Sequence, residues 1–146
     1  MMKKLLCLVL VLLAAVSCLT ACTFTSNISG DAGKAEATPK VQEMISHLAH
    51  SRIQDAKALM HPQANKNLDR EITQMISYLG GRDAQSLDVT GVNIKTNSST
   101  VGKSRQEQLS CRVELSDHNV IYVSAVYLSN SVGEGFISFQ LVLGIV

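Results

Sequence analysis

Phe136-Ile137-Ser138-Phe139-Gln140-Leu141-Val142-Leu143-Gly144-Ile145-Val146 ends the chain, and in it Ile137, Phe139, Leu141, Leu143 and Ile145 fall on every second residue. Successive side chains of a strand point to opposite faces, so this spacing predicts one set filling a core while Phe136, Val142 and Val146 point away. Working backwards, Val120 to Leu128 is apolar on both parities, and Ser116-Asp117-His118-Asn119 before it is turn chemistry. Leu109, Cys111, Val113 and Leu115 alternate against Gln108, Ser110, Arg112 and Glu114. Leu87 and Val89, then Val92 and Ile94, change parity around Gly91, which predicts a bulge. The polar stretch around Ser98 reads as a loop between two strands.

Ahead of residue 84 the period is 3.6 instead of 2. Thr38-Pro39 reads as a cap followed by proline at the first helical position, and Val41, Met44, Ile45, Leu48 and Ala49 then predict a helix over about 39–50. Ser51-Arg52-Ile53-Gln54 has the capping-box pattern and opens a short helix that turns Ile53, Ala56, Leu59 and Met60 inward before Pro62 ends it. A third helix starts near Asn65 or Asn67, with Leu68, Ile72, Met75, Ile76 and Leu79 on one arc, and Gly80-Gly81 closes it. Three helices followed by four antiparallel strands give an α+β fold: three N-terminal helices packed on a curved, roughly four-stranded sheet.

The first residues stand apart from this domain. Met1-Met2-Lys3-Lys4 is cationic, and Leu5 to Val16 is an apolar run too short for a hydrocarbon core of about 30 Å. Leu19-Thr20-Ala21-Cys22 follows, and it resembles the lipobox of bacterial lipoproteins. That resemblance implies cleavage before Cys22, a diacylglycerol on its thiol and acylation of the new amino terminus. Residues 1–21 are then a signal peptide, 22–38 the lipid-bearing Cys and a small, polar tether, and 39–146 a single domain. Ala15-Val16-Ser17-Cys18 is a poorer match because Ala stands at the branched position, and ordinary secretory cleavage or an uncleaved anchor are the other readings. Two acyl chains hold a protein on a membrane where one would not. The expected location is the bacterial cell membrane or outer membrane, since Thr23 is unlike the Asp that retains lipoproteins at an inner membrane.

Composition limits the function classes. Hydrophobic residues are 46% and charged residues 17% of the chain, a globular balance. Removal of Lys3 and Lys4 with the leader leaves 11 basic against 12 acidic residues, moving the formal charge from +1 to −1. Such a domain has no electrostatic footprint for nucleic acid. Three of the four Cys lie in the first 22 residues, so a disulfide scaffold is excluded and Cys111 is the domain's internal thiol.

The layout of helix, short helix, third helix and long strands resembles the nuclear transport factor 2-like cone fold. Its local signature is His50-Ser51-Arg52-Ile53-Gln54-Asp55-Ala56-Lys57-Ala58-Leu59-Met60-His61-Pro62, a polar step, an Ala-x-x-Leu turn and a His-Pro stop. That class holds enzymes and non-catalytic domains alike, so it implies a fold and no activity. Isomerase members place an acid in the pocket. Glu71 and Tyr78, seven residues apart on one flank of the third helix, are the pair that would line the mouth of such a cone, or else a half-exposed flank and nothing more.

An isomerase- or hydratase-like site also needs an inward acid or base on the strands, and the inward sets read as aliphatic apart from Cys111, with no such residue evident. His47 and His50 fall on the polar face of the first helix, and with His61 they read as surface histidines; His118 reads as a turn residue. No metal and no cofactor is expected. The expected function is therefore a membrane-anchored, extracytoplasmic domain that binds a protein partner or a small apolar ligand without catalysis, around an aliphatic cavity. A small cone-fold enzyme is the alternative. Apolar residues left over on the outer sheet face, Tyr122 and Val142 among them, predict a homodimer or partner surface there unless the tether or the Ser98 loop covers it.

Overall fold

The computed structural model describes residues 35–64 and 67–143. Three helices, α1 Thr38–Ala49, α2 Ile53–Ala58 and α3 Leu68–Leu79, precede four strands, β1 Ala84–Ser99, β2 Gly102–Leu115, β3 Val120–Asn130 and β4 Gly133–Leu143. The strands form one open antiparallel sheet in the order β1-β2-β3-β4. The fold is α+β, as the change of period predicts. The helices lie mid-chain, not at the N-terminus, because residues 1–37 come before them. Residues 1–34, on which the expected leader and Cys22 fall, and residues 144–146, with Ile145 and Val146, lie outside the described residues. No described helix is long and apolar enough to cross a membrane.

Val41, Met44, Ile45 and Leu48 of α1 are fully buried at the i, i+3, i+4, i+7 spacing, with Ala37 and Thr38 buried ahead of them. They pack with Leu109, Cys111, Val113, Leu115, Ile121, Val123 and Ala125 from the inner sheet face. The expected cap at Thr38 is not made: Thr38 lies inside the helix, and Ala37 is the cap residue with no side-chain cap. Glu107 takes that role from the sheet. Its Oε1 accepts the Glu36 amide at 3.1 Å and its Oε2 the Ala37 amide at 2.9 Å, while the Arg105 guanidinium donates to Oε1 at 2.8 Å. The side chain is 1% exposed. A carboxylate suits the positive end of a helix, and a buried one is tolerated where hydrogen bonds and a counter-charge meet it.

Glu107 also corrects the expectation that no inward acid is evident on the strands. It continues the parity of Leu109 and Cys111 by one more step.

The capping box at Ser51 is likewise not formed. Ser51 is in the left-handed region at φ 56°, Arg52 caps α2, and no side-chain cap is present. The end of α1 takes precedence there, because the Ser51 amide bonds to the Leu48 carbonyl and the Arg52 amide to that of His47. The third helix behaves as expected, with Ile72 and Leu79 buried and Gly80 left-handed at φ 57°. Arg82 then folds back on its end, donating to the Leu79 and Tyr78 carbonyls at 2.7 Å each and to Asp117 at 3.0 Å. That guanidinium bond holds the Asp117 carboxyl below the ordinary carboxylate range.

Two strand assignments change. Around Ser98 there is no loop: β1 and β2 continue as a paired hairpin through Ser99↔Gly102, so that stretch does not fold over the sheet. The Gly91 irregularity is present as a register shift between Val89 and Gly91. The parity of β4 is broken by a bulge, because Val126 pairs with Ser138 while Tyr127 pairs with Phe136, leaving Ile137 extra. Phe136, expected on the outside, is consequently 0% exposed and Ile137 only half-buried. Edge-to-face contacts join Phe136 to Tyr127 at 5.0 Å and to Phe139 at 5.2 Å.

The bulge also brings Phe136 against the segment that follows α2. The Phe136 amide bonds to the Leu59 carbonyl and the His61 amide to the Phe136 carbonyl, both at 2.9 Å, so that Met60 forms a parallel bridge on the outer edge of β4. Gly135 permits this approach. A Cβ there would lie 2.5 Å from the His61 nitrogen and 2.6 Å from the Met60 carbonyl carbon, both backbone atoms that cannot move aside alone.

Two stability outcomes follow from these joints. Glu107→Ala should cost about 2 to 4 kcal/mol by stranding buried amides, whereas Glu43→Ala on the exposed side of α1 should cost less than about 0.5 kcal/mol. Equal losses in denaturant unfolding would reject Glu107 as the cap. Gly135→Ala should cost about 2 to 4 kcal/mol through strain and loss of the Met60 bridge. An unchanged thermal midpoint would show that the bridge is dispensable.

Candidate functional site

A groove of about 540 Å³ opens between α3 and β4. One wall is Glu71, Gln74, Met75 and Tyr78, the i, i+3, i+4, i+7 flank of α3 beside its buried Ile72 and Leu79. Opposite stand five consecutive residues of β4, Ile137 to Leu141. The structure therefore brings Glu71 and Tyr78 to one wall of a cavity: Glu71 is exposed, Tyr78 half-buried, and the Arg82 guanidinium lies 6.0 Å from the Tyr78 ring centroid. The wall exists because a seven-residue separation is close to two helical turns.

The lining departs from the aliphatic cavity expected. Glu71, Gln74, Tyr78, Ser138 and Gln140 share it with Met75, Ile137, Phe139 and Leu141. Each amide side chain can donate and accept. Glu71 and Tyr78 are the titratable groups in the lining, which contains no imidazole, thiol or amine. Chemically the groove suits alternating polar and apolar contacts along a line more than proton shuttling between a matched acid and base.

The other titratable groups of interest are engaged elsewhere. His61, expected at the surface, is 2% exposed. Its Nδ1 accepts the Gln63 amide at 3.0 Å, which places the ring proton on Nε2, facing Asn130 Oδ1 and the Gly133 carbonyl at 3.1 Å each. Asn130 also accepts the Val132 amide at 3.0 Å and donates to Gln63 at 3.2 Å, so His61 is the hub of a joint between the α2 exit and the β3–β4 turn. The His-Pro stop concealed this role, because burial at position 61 depends on residues about 70 positions away.

His47 accepts from Arg52 at 3.0 Å and His50 faces Asp83 at 3.4 Å, both on the polar side of α1. His118 sits in the β2–β3 turn at φ 66° beside Glu114. Cys111 is buried, and desolvation pushes its thiol up to about 11, so it is protonated and packs as a small apolar group. Among the described residues no group of three or more His, Cys, Asp or Glu is placed to hold a metal ion.

No family model matches the chain. No curated protein matches it in sequence. Among solved structures, the chain is similar to a DUF4783 family protein from Bacteroides ovatus ATCC 8483, with a TM-score of 0.43 and 7% identity over 71% of this chain and 94% of that one.

Proposed function

We propose that this chain is an envelope-anchored bacterial lipoprotein whose domain, of the nuclear transport factor 2-like cone class, binds a protein partner in the α3–β4 groove without catalysing a reaction. The observation that carries the binding half of this reading is the lining itself: polar and apolar side chains interleaved along five residues of one strand, opposite a helix flank. A pocket for a small apolar molecule would be enclosed and mostly apolar. This groove is neither, so a polypeptide suits it better than the small ligand does. Against an isomerase-like enzyme, Glu71 stands exposed, and the buried acid of the sheet is held by two amides and Arg105. The anchor is supported by Leu19-Thr20-Ala21-Cys22 placed directly after an apolar run.

A second surface has its own support. Tyr122 and Val142 are cross-strand neighbours on the outer sheet face, 42% and 48% exposed, with Val126 and Leu128 half-buried further along β3. A homodimer or partner contact there is the second reading, on a stripe bordered by Arg112, Ser110 and Gln108 of β2.

Cells fed an alkyne palmitate should label the wild-type protein and not Cys22→Ala; label that persists in Cys22→Ala and disappears in Cys18→Ala would move the anchor to Cys18. For the groove, random peptides of about 12 residues displayed on phage and panned against the detergent-extracted full chain should yield binders weakened at least about tenfold by Gln74→Trp, a bulky change at an exposed wall position. Binders weakened by Tyr122→Glu instead would place the contact on the outer face, and a pan that yields none would overturn the protein-binding reading.

A further inference from the structure

We infer that the occupant of the groove is a single extended polypeptide segment that adds to the β4 edge as a fifth strand, alongside Ser138 to Val142; this rests on the protein-binding reading above. Four observations lead there. First, among the described residues β4 ends the sheet and pairs on one side with β3, so alternate amides and carbonyls along it point away from β3, on the strand that lines the groove. Only an extended backbone meets such a row with a matching row of its own.

Second, the two edges of the sheet are treated differently. β1 carries Asp88 and Lys95 and two register breaks, the features by which edges are kept from pairing. From Phe136 to Leu143, β4 has no charged residue and no proline, and its one bulge lies at Ile137, before the stretch in question.

Third, this edge already accepts a partner within the chain. At Phe136 the Leu59–His61 segment makes both hydrogen bonds of a parallel bridge. The bridge stops there because the Gln63 amide, the next donor in a parallel ladder, turns back to His61 Nδ1 and the His61 carbonyl accepts the Ala64 amide, so the positions of β4 beyond are left without this partner.

Fourth, α3 stands beside the edge. A second copy would bring the helix wall that lines its own groove up to this one, whereas a single segment brings none. A lone strand needs only the usual interstrand spacing of about 4.8 Å and a length of about 17 Å for five residues. It would face Met75 and Tyr78 with every second side chain.

The test uses the tightest peptide from the pan as probe. Backbone N-methylation at successive positions removes one N–H at a time without altering the protein. The expected result is an alternating pattern, with about tenfold weaker binding at every second position and less than about threefold between them. Hydrogen exchange on the full chain should show the outward amides between Ser138 and Val142 slowed by the bound peptide. A flat N-methyl scan, or binding that leaves those amides unprotected, would overturn strand addition while the groove reading stands. Failure to obtain any binder sensitive to Gln74→Trp would remove both.

Discussion

A carboxylate buried beneath the start of a helix is the constraint on which the rest of this domain depends. Glu107 reaches from β2 to the two amides that lead into α1, and Arg105 on the same strand balances its charge. Leaving it unmet would be costlier than any single apolar contact in the core, because an unpaired buried charge loses its hydration with nothing in return. The direction of those two amides fixes where α1 starts and how it crosses the sheet. Val41, Met44, Ile45 and Leu48 then join the core with the inner face of the sheet. Once α1 is placed, α2 and α3 have little freedom. The left-handed Ser51 turns the chain into α2, and Arg82 binds the end of α3 to the β2–β3 turn.

The sequence carried the type and order of every element because the period of the apolar residues changes once, from 3.6 to 2, near residue 84. It was weaker wherever a local pattern competes with a distant partner. Ser51-Arg52-Ile53-Gln54 satisfies the rule for a cap, yet the Leu48 carbonyl at the end of α1 claims the Ser51 amide. Strand parity could be followed only while the ladder was unbroken. One extra residue at Ile137 exchanged the faces of Phe136 and its neighbour, and Gly135 just before it reads as part of the preceding loop instead of as a mark of the bulge. Around Ser98 the residues are polar because both faces of the hairpin are wet, so alternation had nothing to register. The acid at 107 was one step from Leu109 in an established alternation; only the assumption that inward means apolar hid it. The pairing of Glu71 with Tyr78 was legible from helical spacing alone, whereas the wall opposite depended on which strand ends the sheet.

Where the buried polar groups are spent also narrows where function can lie. Glu107, His61 and Asn130 each have their hydrogen-bonding capacity used in joining segments far apart in sequence, and Cys111 is closed off by its surroundings. The α3–β4 groove differs in kind, since polar and apolar side chains alternate along its lining. Asymmetry between the two sheet edges points the same way. Charge and irregular register protect β1, while β4 from Ser138 to Leu143 keeps a regular, uncharged course beside the helix flank that lines the groove.

The 70 residues that separate Ala37 from Glu107 also set an order of events. A chain made from its N-terminus onwards exposes the apolar face of α1 well before its capping carboxylate exists. During that interval the helix has neither its counter-charge nor the β2–β3 surface it packs against, and a short isolated helix is marginal in water. Closing so long a loop is slow relative to forming the β2–β3 hairpin, whose partners are near neighbours. Neither the cap of α1 nor the surface it packs against is therefore complete until the sheet is, which makes the helix start a long-range joint that local propensity cannot replace.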